Sequence, residues 1–157
     1  MGAEKAPQFG TRTSQRSRTA SPFFVSSNSE VSQMTVRFNH TIIAAKDRNG
    51  SARFFRELLE LPEAPSWGPF TNIQLNDGVL LQFAEPPVEI QMQHYAFLID
   101  DDLFDRAYRR LCDRGIAHWA DPQMRRPGEI NNEHGGRGVY FKDPAGHAIE
   151  LITRPYL

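Results

Sequence analysis

Two histidines and one glutamate stand out in this chain because metal ions bind such side chains and because each occurs at an apolar stretch. His40 and His94 each stand at the start of one stretch, and Glu150 lies inside a third. Two neutral imidazoles and a carboxylate hold a divalent ion and leave coordination positions open for substrate or water. A carboxylate without a partner in an apolar strand is costly, so Glu150 should face a cation. These three residues are predicted to hold one divalent metal ion.

The candidate ligands belong to two copies of one sequence pattern. Residues 38–42 match residues 92–96, which places each histidine near the start of the first strand of its copy. Residues 77–82 match residues 145–150 in the last strand of each copy. The chain is therefore predicted to fold as two related units of about 55 residues, whose half-sheets cup around a shared concave face.

Gln82 is the counterpart of Glu150 in this repeat. The spacing is 42 residues from His40 to Gln82 and 56 residues from His94 to Glu150. One insertion, the long stretch 121–137, accounts for the difference. Gln82 is accordingly a candidate for a weak fourth ligand or for a hydrogen-bonding neighbour of the ligands.

Hydrophobic patterning predicts a strand, a helix and further strands in each copy. Asp101 or Asp102 is the expected N-cap of the second helix, and Gly115 stands just past its end. The predicted strands are 36–45, 70–75 and 79–84 in the first copy, around a helix at 49–60, and 92–99, 116–120, 138–142 and 147–153 in the second.

Composition restricts the possible classes of protein. A chain of 157 residues is expected to form one domain, and a net charge of −1 argues against a nucleic-acid-binding protein. No apolar run approaches the roughly 18 residues of a transmembrane helix, so no membrane partner is expected. The single cysteine, Cys112, fits a reducing cytoplasm and is expected to be a buried, inert thiol.

Residues 1–33 differ in composition from the rest of the chain. They are rich in Ser, Thr, Arg and Gln and lack a sustained hydrophobic period, so we expect a disordered tail. An alternative is that Met34 is the natural start and that the preceding residues are upstream sequence. In either case the function is assigned to one domain, residues 34–157.

The long stretch 121–137 is polar and punctuated by Pro and Gly, as functional or disordered loops are. Arg125, Arg126 and Arg137 are candidates to bind an anionic group of a substrate, and a solvated surface loop is the alternative. His134 is a candidate acid or base, and Tyr140 a candidate pocket residue. His147 alternates to the face opposite Glu150, so it is expected to be structural or exposed. Trp67 and Trp119 suit either a pocket wall or the core.

Several segments together resemble one known family. The segments are residues 39–42, 51–55, 94–97 and above all 138–150, which contain the run Tyr-x-x-Asp-Pro-x-Gly-x-x-x-Glu. From about Met34 to Tyr156 the chain resembles the vicinal oxygen chelate superfamily, which includes glyoxalases, bleomycin-resistance proteins and ring-cleaving dioxygenases. The resemblance implies an α+β fold of two tandem βαβββ modules. These modules form a cupped, barrel-like mixed sheet with helices outside and a divalent metal in the cup.

The resemblance also assigns positions within the site. His40, His94 and Glu150 fall on metal-ligand positions, and Gln82 falls on a fourth position that is a ligand in glyoxalase I enzymes. Glyoxalase I commonly has glutamate there, so glutamine counts against glyoxalase base chemistry. The implied metal is iron, manganese, nickel, cobalt or zinc. Many relatives are dimers that complete a site across chains, so a homodimer is expected.

Four functions fit these residues. The leading hypothesis is a lyase or isomerase in which the metal, as a Lewis acid, binds a small molecule through vicinal oxygens while Glu150 or a pocket base moves a proton. The second is Fe(II)-dependent ring cleavage, which His134 and Tyr140 favour. The third is metal-assisted thiol transfer to an epoxide antibiotic, and the fourth is a binding protein without catalysis.

Overall fold

Two modules of strands and one helix follow one another in the computed structural model, which describes residues 36–157. The predicted α+β class and the predicted order of elements are confirmed, whereas the expected tail lies outside the described residues. The first module contains β1 (His40–Ala44), α1 (Arg48–Leu59), β2 (Thr71–Gln74) and β3 (Leu80–Ala84). The second module contains β4 (His94–Leu98), α2 (Asp101–Asp113), β5 (His118–Trp119), β6 (Gly138–Lys142) and β7 (Ala148–Ile152).

Each module forms its own mixed sheet. The first has the strand order β1-β3-β2 and the second has the order β4-β7-β6-β5. The pairs β1–β3 and β4–β7 are parallel, and the other neighbours are antiparallel. Within residues 36–157 the two sheets are not closed into a barrel. Each sheet turns one face toward the core, and the face turned away from the core is called its open face here. Neither helix of this region has the length and apolar character needed to cross a membrane.

The first helix is set by its caps and by one apolar face. The Asp47 side chain accepts a hydrogen bond from the backbone N–H of Gly50 at 2.9 Å, which satisfies a free amide of the first turn. The helix ends at Glu60, whose φ of 56° is left-handed. Its buried residues recur at helical spacing, which explains why this face packs on the sheet. They are Ser51, Ala52, Phe55, Leu58 and Leu59.

The second helix corrects two predictions. Its N-cap is Asp100, not Asp101 or Asp102, because the Asp100 side chain accepts from the backbone N–H of Leu103 at 2.7 Å. The apolar pattern alone could not choose among three consecutive aspartates. Cys112 is exposed, so the prediction of a buried thiol was wrong. It follows a core residue, and one position along a helix rotates a side chain by about 100° away from the core.

One hydrophobic core joins the two modules. Phe55 of α1 stacks on Phe83 of β3 with ring centroids 5.4 Å apart, and it contacts Phe97 of β4 at 5.8 Å. At the surface, Glu60 accepts hydrogen bonds from Arg106 and Arg110 of α2. The core and this ion-pair cluster fix how the two strand systems sit within the chain.

His147 forms a second tie between the modules and is only 1% exposed. Its Nδ1 accepts from the backbone N–H of Gln93 at 3.0 Å, and its Nε2 donates to the Ala44 carbonyl at 2.9 Å. The partners define the tautomer, because an amide N–H only donates and a carbonyl only accepts. The structural role expected for His147 is confirmed, and the ring holds the end of β1 against the start of β4.

Candidate metal centre

His94 and Glu150 meet on the open face of the second sheet. In the parallel register of β4 and β7, His94 pairs with Ala148 and Ala96 pairs with Glu150, so both side chains lie on one face. The distance from His94 Nε2 to Glu150 Oε2 is 3.1 Å. The Glu150 side chain is 3% exposed and that of His94 is 48% exposed. A buried carboxylate is thus placed beside an imidazole that solvent or a ligand can reach.

Aromatic side chains surround this pair. Tyr156 donates its hydroxyl to Glu150 Oε1 at 2.5 Å, and its ring lies against His134 with centroids 4.6 Å apart. Tyr140 pairs with Glu150 in the β6–β7 register and stacks near His94 at 6.2 Å. Burial, followed by hydrogen bonding with Glu150, raises the pKa of the Tyr140 hydroxyl well above its usual range. The phenol therefore keeps its proton and can donate a hydrogen bond at neutral pH.

His40 and Gln82 occupy the corresponding places on the open face of the first sheet. His40 pairs with Leu80 and Ile42 pairs with Gln82, which repeats the offset found between β4 and β7. Gln82 is 6% exposed and donates from Nε2 to the Oδ1 of Asn72 at 3.1 Å. The predicted equivalence of the two histidines, and that of Gln82 with Glu150, is confirmed in the strand register.

The structure brings two of the three predicted ligands together. His94 and Glu150 are adjacent, whereas His40 lies in the other sheet. Among residues 36–157, no three His, Cys, Asp or Glu side chains form a group that could hold a metal ion. One chain therefore offers two half-sites: the His94 half-site with Glu150, and the His40 half-site with Gln82.

The arginines of the long loop have different surroundings. Arg137 forms ion pairs with Asp101 and Asp105 of α2, and it also lines a small cavity next to Glu150. Arg125 and Arg126 are exposed. The structure does not bring the three guanidinium groups together at one point, and their role in substrate binding stays a prediction. Arg137 is the one that borders the His94 half-site.

Comparison with known proteins identifies the family. The model of the Glyoxalase/Bleomycin resistance protein/Dioxygenase superfamily matches residues 37–151. The chain belongs to this superfamily. The resemblance that the sequence indicated is confirmed, and the chain is an enzyme of this group. Two relatives of the chain are named as metallothiol transferases, which agrees with the donor set found here.

The chain is similar to three proteins with named activities. The solved structure of Oxidase ChaP-H2 is 50% identical with a TM-score of 0.76, over 78% of this chain and 97% of that chain. Oxidase ChaP-H1 is 49% identical with a TM-score of 0.75, over 78% and 98%. Glutathione transferase FosA of Serratia marcescens is 31% identical over 124 residues, which are 75% of this chain and 81% of that protein.

The His94 half-site has a donor spacing that is compatible with a metal ion. His94 Nε2 and Glu150 Oε2 lie at a hydrogen-bond distance of 3.1 Å, which is also about the separation of two donor atoms that each lie about 2.1 Å from one ion. Among the described residues, no lysine or arginine forms an ion pair with the buried Glu150. Its partners among these residues are His94 and Tyr156, and a bound cation would balance the charge of the carboxylate.

Two residues of the site were missed in the sequence. Tyr156 lies past the last strand, where no periodic pattern indicates which way a side chain points. Asn72 lies in a short strand, between the polar Thr71 and the apolar Ile73. The sequence pattern therefore does not indicate that its side chain is buried. Both roles depend on contacts between side chains of different segments.

Proposed function

We propose that this protein is a metal-dependent oxidase that acts on a small molecule presenting two adjacent oxygens. The observation that carries the proposal is the buried Glu150 carboxylate, 3.1 Å from His94 on an open sheet face, with His40 at the equivalent place of the other module. Two histidines and one carboxylate are the ligand set of non-haem Fe(II) oxygenases, so iron(II) is the proposed metal.

The comparisons support oxidation over the other reactions of the superfamily. Two proteins named as oxidases share about half of their residues with this chain over nearly their whole length. The lyase or isomerase hypothesis has weaker support, because Gln82 stands where a glyoxalase base would be. Dioxygen is the oxidant in this proposal and the substrate is the source of the electrons; a bound iron(II) would hold the two reactants side by side and let electrons pass between them.

The side chains around Glu150 have distinct roles in this proposal. His94 and Glu150 bind the ion, and the neutral Tyr140 hydroxyl donates a hydrogen bond toward a substrate oxygen. His134 is exposed and in contact with Tyr156, so it is placed to exchange a proton between the pocket and solvent. Arg125, Arg126 and Arg137 are candidates to bind an anionic group of the substrate. Arg137 lines the cavity beside Glu150, although its guanidinium is already paired with Asp101 and Asp105.

We further propose that each metal centre combines the His40 half-site of one chain with the His94 half-site of a second chain. The faces of both sheets that lack the candidate ligands contribute to the same core, through Ile43 and Phe83 in one and Phe97 and Ile149 in the other. The ligand-bearing faces are therefore turned away from the core that unites a chain. They also carry exposed apolar residues, Ile42 at 53% and Leu98 at 58%, as expected where a second copy packs.

The first test is metal content per chain, measured by plasma mass spectrometry on protein purified anaerobically without chelator. We expect about one iron per chain, and about one per chain after anaerobic reloading if iron is lost. His40→Ala, His94→Ala and Glu150→Ala should each lose it. A parent protein that takes up no metal after reloading would refute the site. Dioxygen consumption by iron-loaded protein is then measured over a panel of catechols and hydroxyquinones, and its absence across the panel counts against oxidation.

The arrangement across two chains is tested by complementation. His40→Ala and Glu150→Ala chains carrying different tags are co-expressed, and the mixed dimer is isolated through both tags. One of its two sites is then intact, so about half of the parent's metal content should return. If the mixed dimer binds no metal although the parent does, the ligands come from one chain.

A second candidate function is thiol transfer, which the 31% identity to Glutathione transferase FosA favours. It uses the same ligands, with a thiol as the nucleophile. Incubating the protein with manganese(II), glutathione and fosfomycin, followed by mass spectrometry, decides this point. An adduct of the two compounds that depends on His94 supports transfer, and its absence together with dioxygen consumption supports oxidation.

A further inference from the structure

Asn72 is a buried polar residue on the open face of the first sheet, and the proposed reaction gives it no role. It is 2% exposed and is the register partner of Gln82. Both ends of its side-chain amide are bonded. Its Nδ2 donates to the carbonyl of Pro65 at 2.8 Å, and its Oδ1 accepts from Gln82 Nε2 at 3.1 Å. A buried amide with both ends paired holds one orientation.

The Pro65 carbonyl determines the direction of both amides. A carbonyl oxygen only accepts, so the NH₂ group of Asn72 must face it. The Oδ1 of Asn72 then faces Gln82, and this oxygen requires the NH₂ group of Gln82 as its donor. The carbonyl oxygen Oε1 of Gln82 is left on the far side, where none of the described residues donates a hydrogen bond to it.

The repeat indicates what Gln82 Oε1 lies beside. Gln82 has the same strand offset from His40 that Glu150 has from His94, and the latter two have donor atoms 3.1 Å apart. A carbonyl oxygen is a metal ligand, whereas an amide NH₂ group has no lone pair to give. The orientation of this one amide therefore decides whether Gln82 can join the metal centre.

We infer that Asn72 is a positioning residue that presents Gln82 Oε1 to the metal ion as a fourth ligand, from the chain that supplies His40. This inference rests on the proposed metal centre. Asn72 also ties the loop after α1 to the site, because its backbone N–H donates to Ser66 Oγ at 3.0 Å beside the Pro65 contact. One residue, Asn72, therefore holds both the loop and the fourth ligand.

The test uses cobalt(II) as the probe, because its visible spectrum reports the number and type of ligands. Affinity and spectrum are measured by titrating the apo forms of the parent, Asn72→Leu, Gln82→Leu and the double variant. We expect each single variant to bind cobalt about 10–100-fold more weakly and to show the same altered spectrum. The double variant should be no weaker than either, because both changes remove one ligand.

Two controls separate this role from a structural one. Gln74→Leu changes an exposed amide on the same strand and should leave affinity and spectrum as in the parent. Asn72→Asp keeps an acceptor for Gln82 but cannot donate to Pro65, so it should keep the parent's spectrum while loosening the loop.

The outcomes distinguish the two proposals. A parent that binds no cobalt refutes the metal centre itself. A parent that binds it, with a folded Asn72→Leu variant that keeps the parent's spectrum, refutes only the role of Asn72. If Asn72→Leu does not fold, the spectra of Asn72→Asp and Gln82→Leu test the role of Asn72 instead. An Asn72→Asp spectrum equal to that of Gln82→Leu overturns the inference, and one equal to the parent's, with Gln82→Leu altered, supports it.

Discussion

Replacing Phe55 by alanine should destabilise both modules together. Phe55 is fully buried, and its ring contacts Phe83 of its own module and Phe97 of the other. Removing a buried phenylalanine side chain costs about 3–5 kcal/mol, from lost burial and from the cavity that remains. A domain of this size is stable by only about 5–15 kcal/mol, so the variant should unfold at a much lower urea concentration or not fold at all.

The two tryptophans let each module report separately. Trp67 lies in the first module and Trp119 in the second, so single-tryptophan proteins made with Trp67→Phe or Trp119→Phe give one fluorescence signal per module. We expect both signals to share one urea midpoint in the parent, and Phe55→Ala to lower both equally. Protein concentration must be fixed, because a dimer's midpoint depends on it.

A double-mutant cycle between Phe55 and Phe97 measures the contact between modules directly. Aromatic pairs couple by about 0.5–1.5 kcal/mol beyond their area burial, so Leu substitutions at both sites should be non-additive by this amount. Phe104→Leu serves as the control, because Phe104 is buried in the same core but its ring stacks on Tyr108, so this change should be additive with Phe55→Leu. A Phe55→Ala protein in which only the Trp67 transition shifts would show that the two modules do not share a core.

Three other predictions concern the ion pairs of Glu60, the hydrogen bonds of His147 and the packing at Gly138. Arg106 and Arg110 lower the pKa of Glu60 to about 2. The stability that Glu60→Gln removes should therefore be fully present above about pH 5 and vanish as the pH falls toward 2. Urea midpoints of both proteins at several pH values check this, and a difference between the two midpoints that stays constant with pH would contradict it. His147→Phe leaves the backbone N–H of Gln93 and the Ala44 carbonyl unpaired, which should lower the free energy of unfolding by roughly 1–3 kcal/mol for each group. Urea unfolding measures this, and a total loss below about 0.5 kcal/mol would show that the two hydrogen bonds contribute little. Gly138→Ala would place a Cβ 2.8 Å from the Asn131 side chain. This overlap should lower the free energy of unfolding by about 1–3 kcal/mol and therefore lower the melting temperature. An unchanged melting temperature would mean that the Asn131 side chain moves away freely.

The order of elements along the chain and the candidate ligands were accessible from the sequence because they follow from local patterns and from the repeat. Alternating apolar residues place a strand within a few positions, and an Asp-Gly pair marks a turn, as at Gly78 with its φ of 91°. The repeat then aligned Gln82 with Glu150 without knowledge of contacts. These signals depend only on neighbours in the chain, which is why β6 was predicted to the residue.

The remaining features depend on contacts between distant segments. The hydroxyl of Tyr156 reaches Glu150 because of how the chain turns after β7, and no period of the sequence describes that turn. Asn72 is buried by a loop that carries no regular structure. The choice of Asp100 as the N-cap depended on one hydrogen bond among three equivalent candidates. In each case the sequence supplied the side chain but not the geometry that gives it a role.

The two faces of each sheet have different roles: one face packs in the core and stabilises the fold, and the other carries the proposed metal ligands. The core that unites a chain uses the residues between the ligand positions, such as Ile43 and Ile149, whereas His40 and Glu150 lie on the other faces. A change in the core should therefore weaken folding of the chain and metal binding together. A polar change at Ile42 leaves the core intact and should act on dimerisation and metal binding alone. Such independence is expected if a folded chain holds two half-sites and a second chain completes each of them.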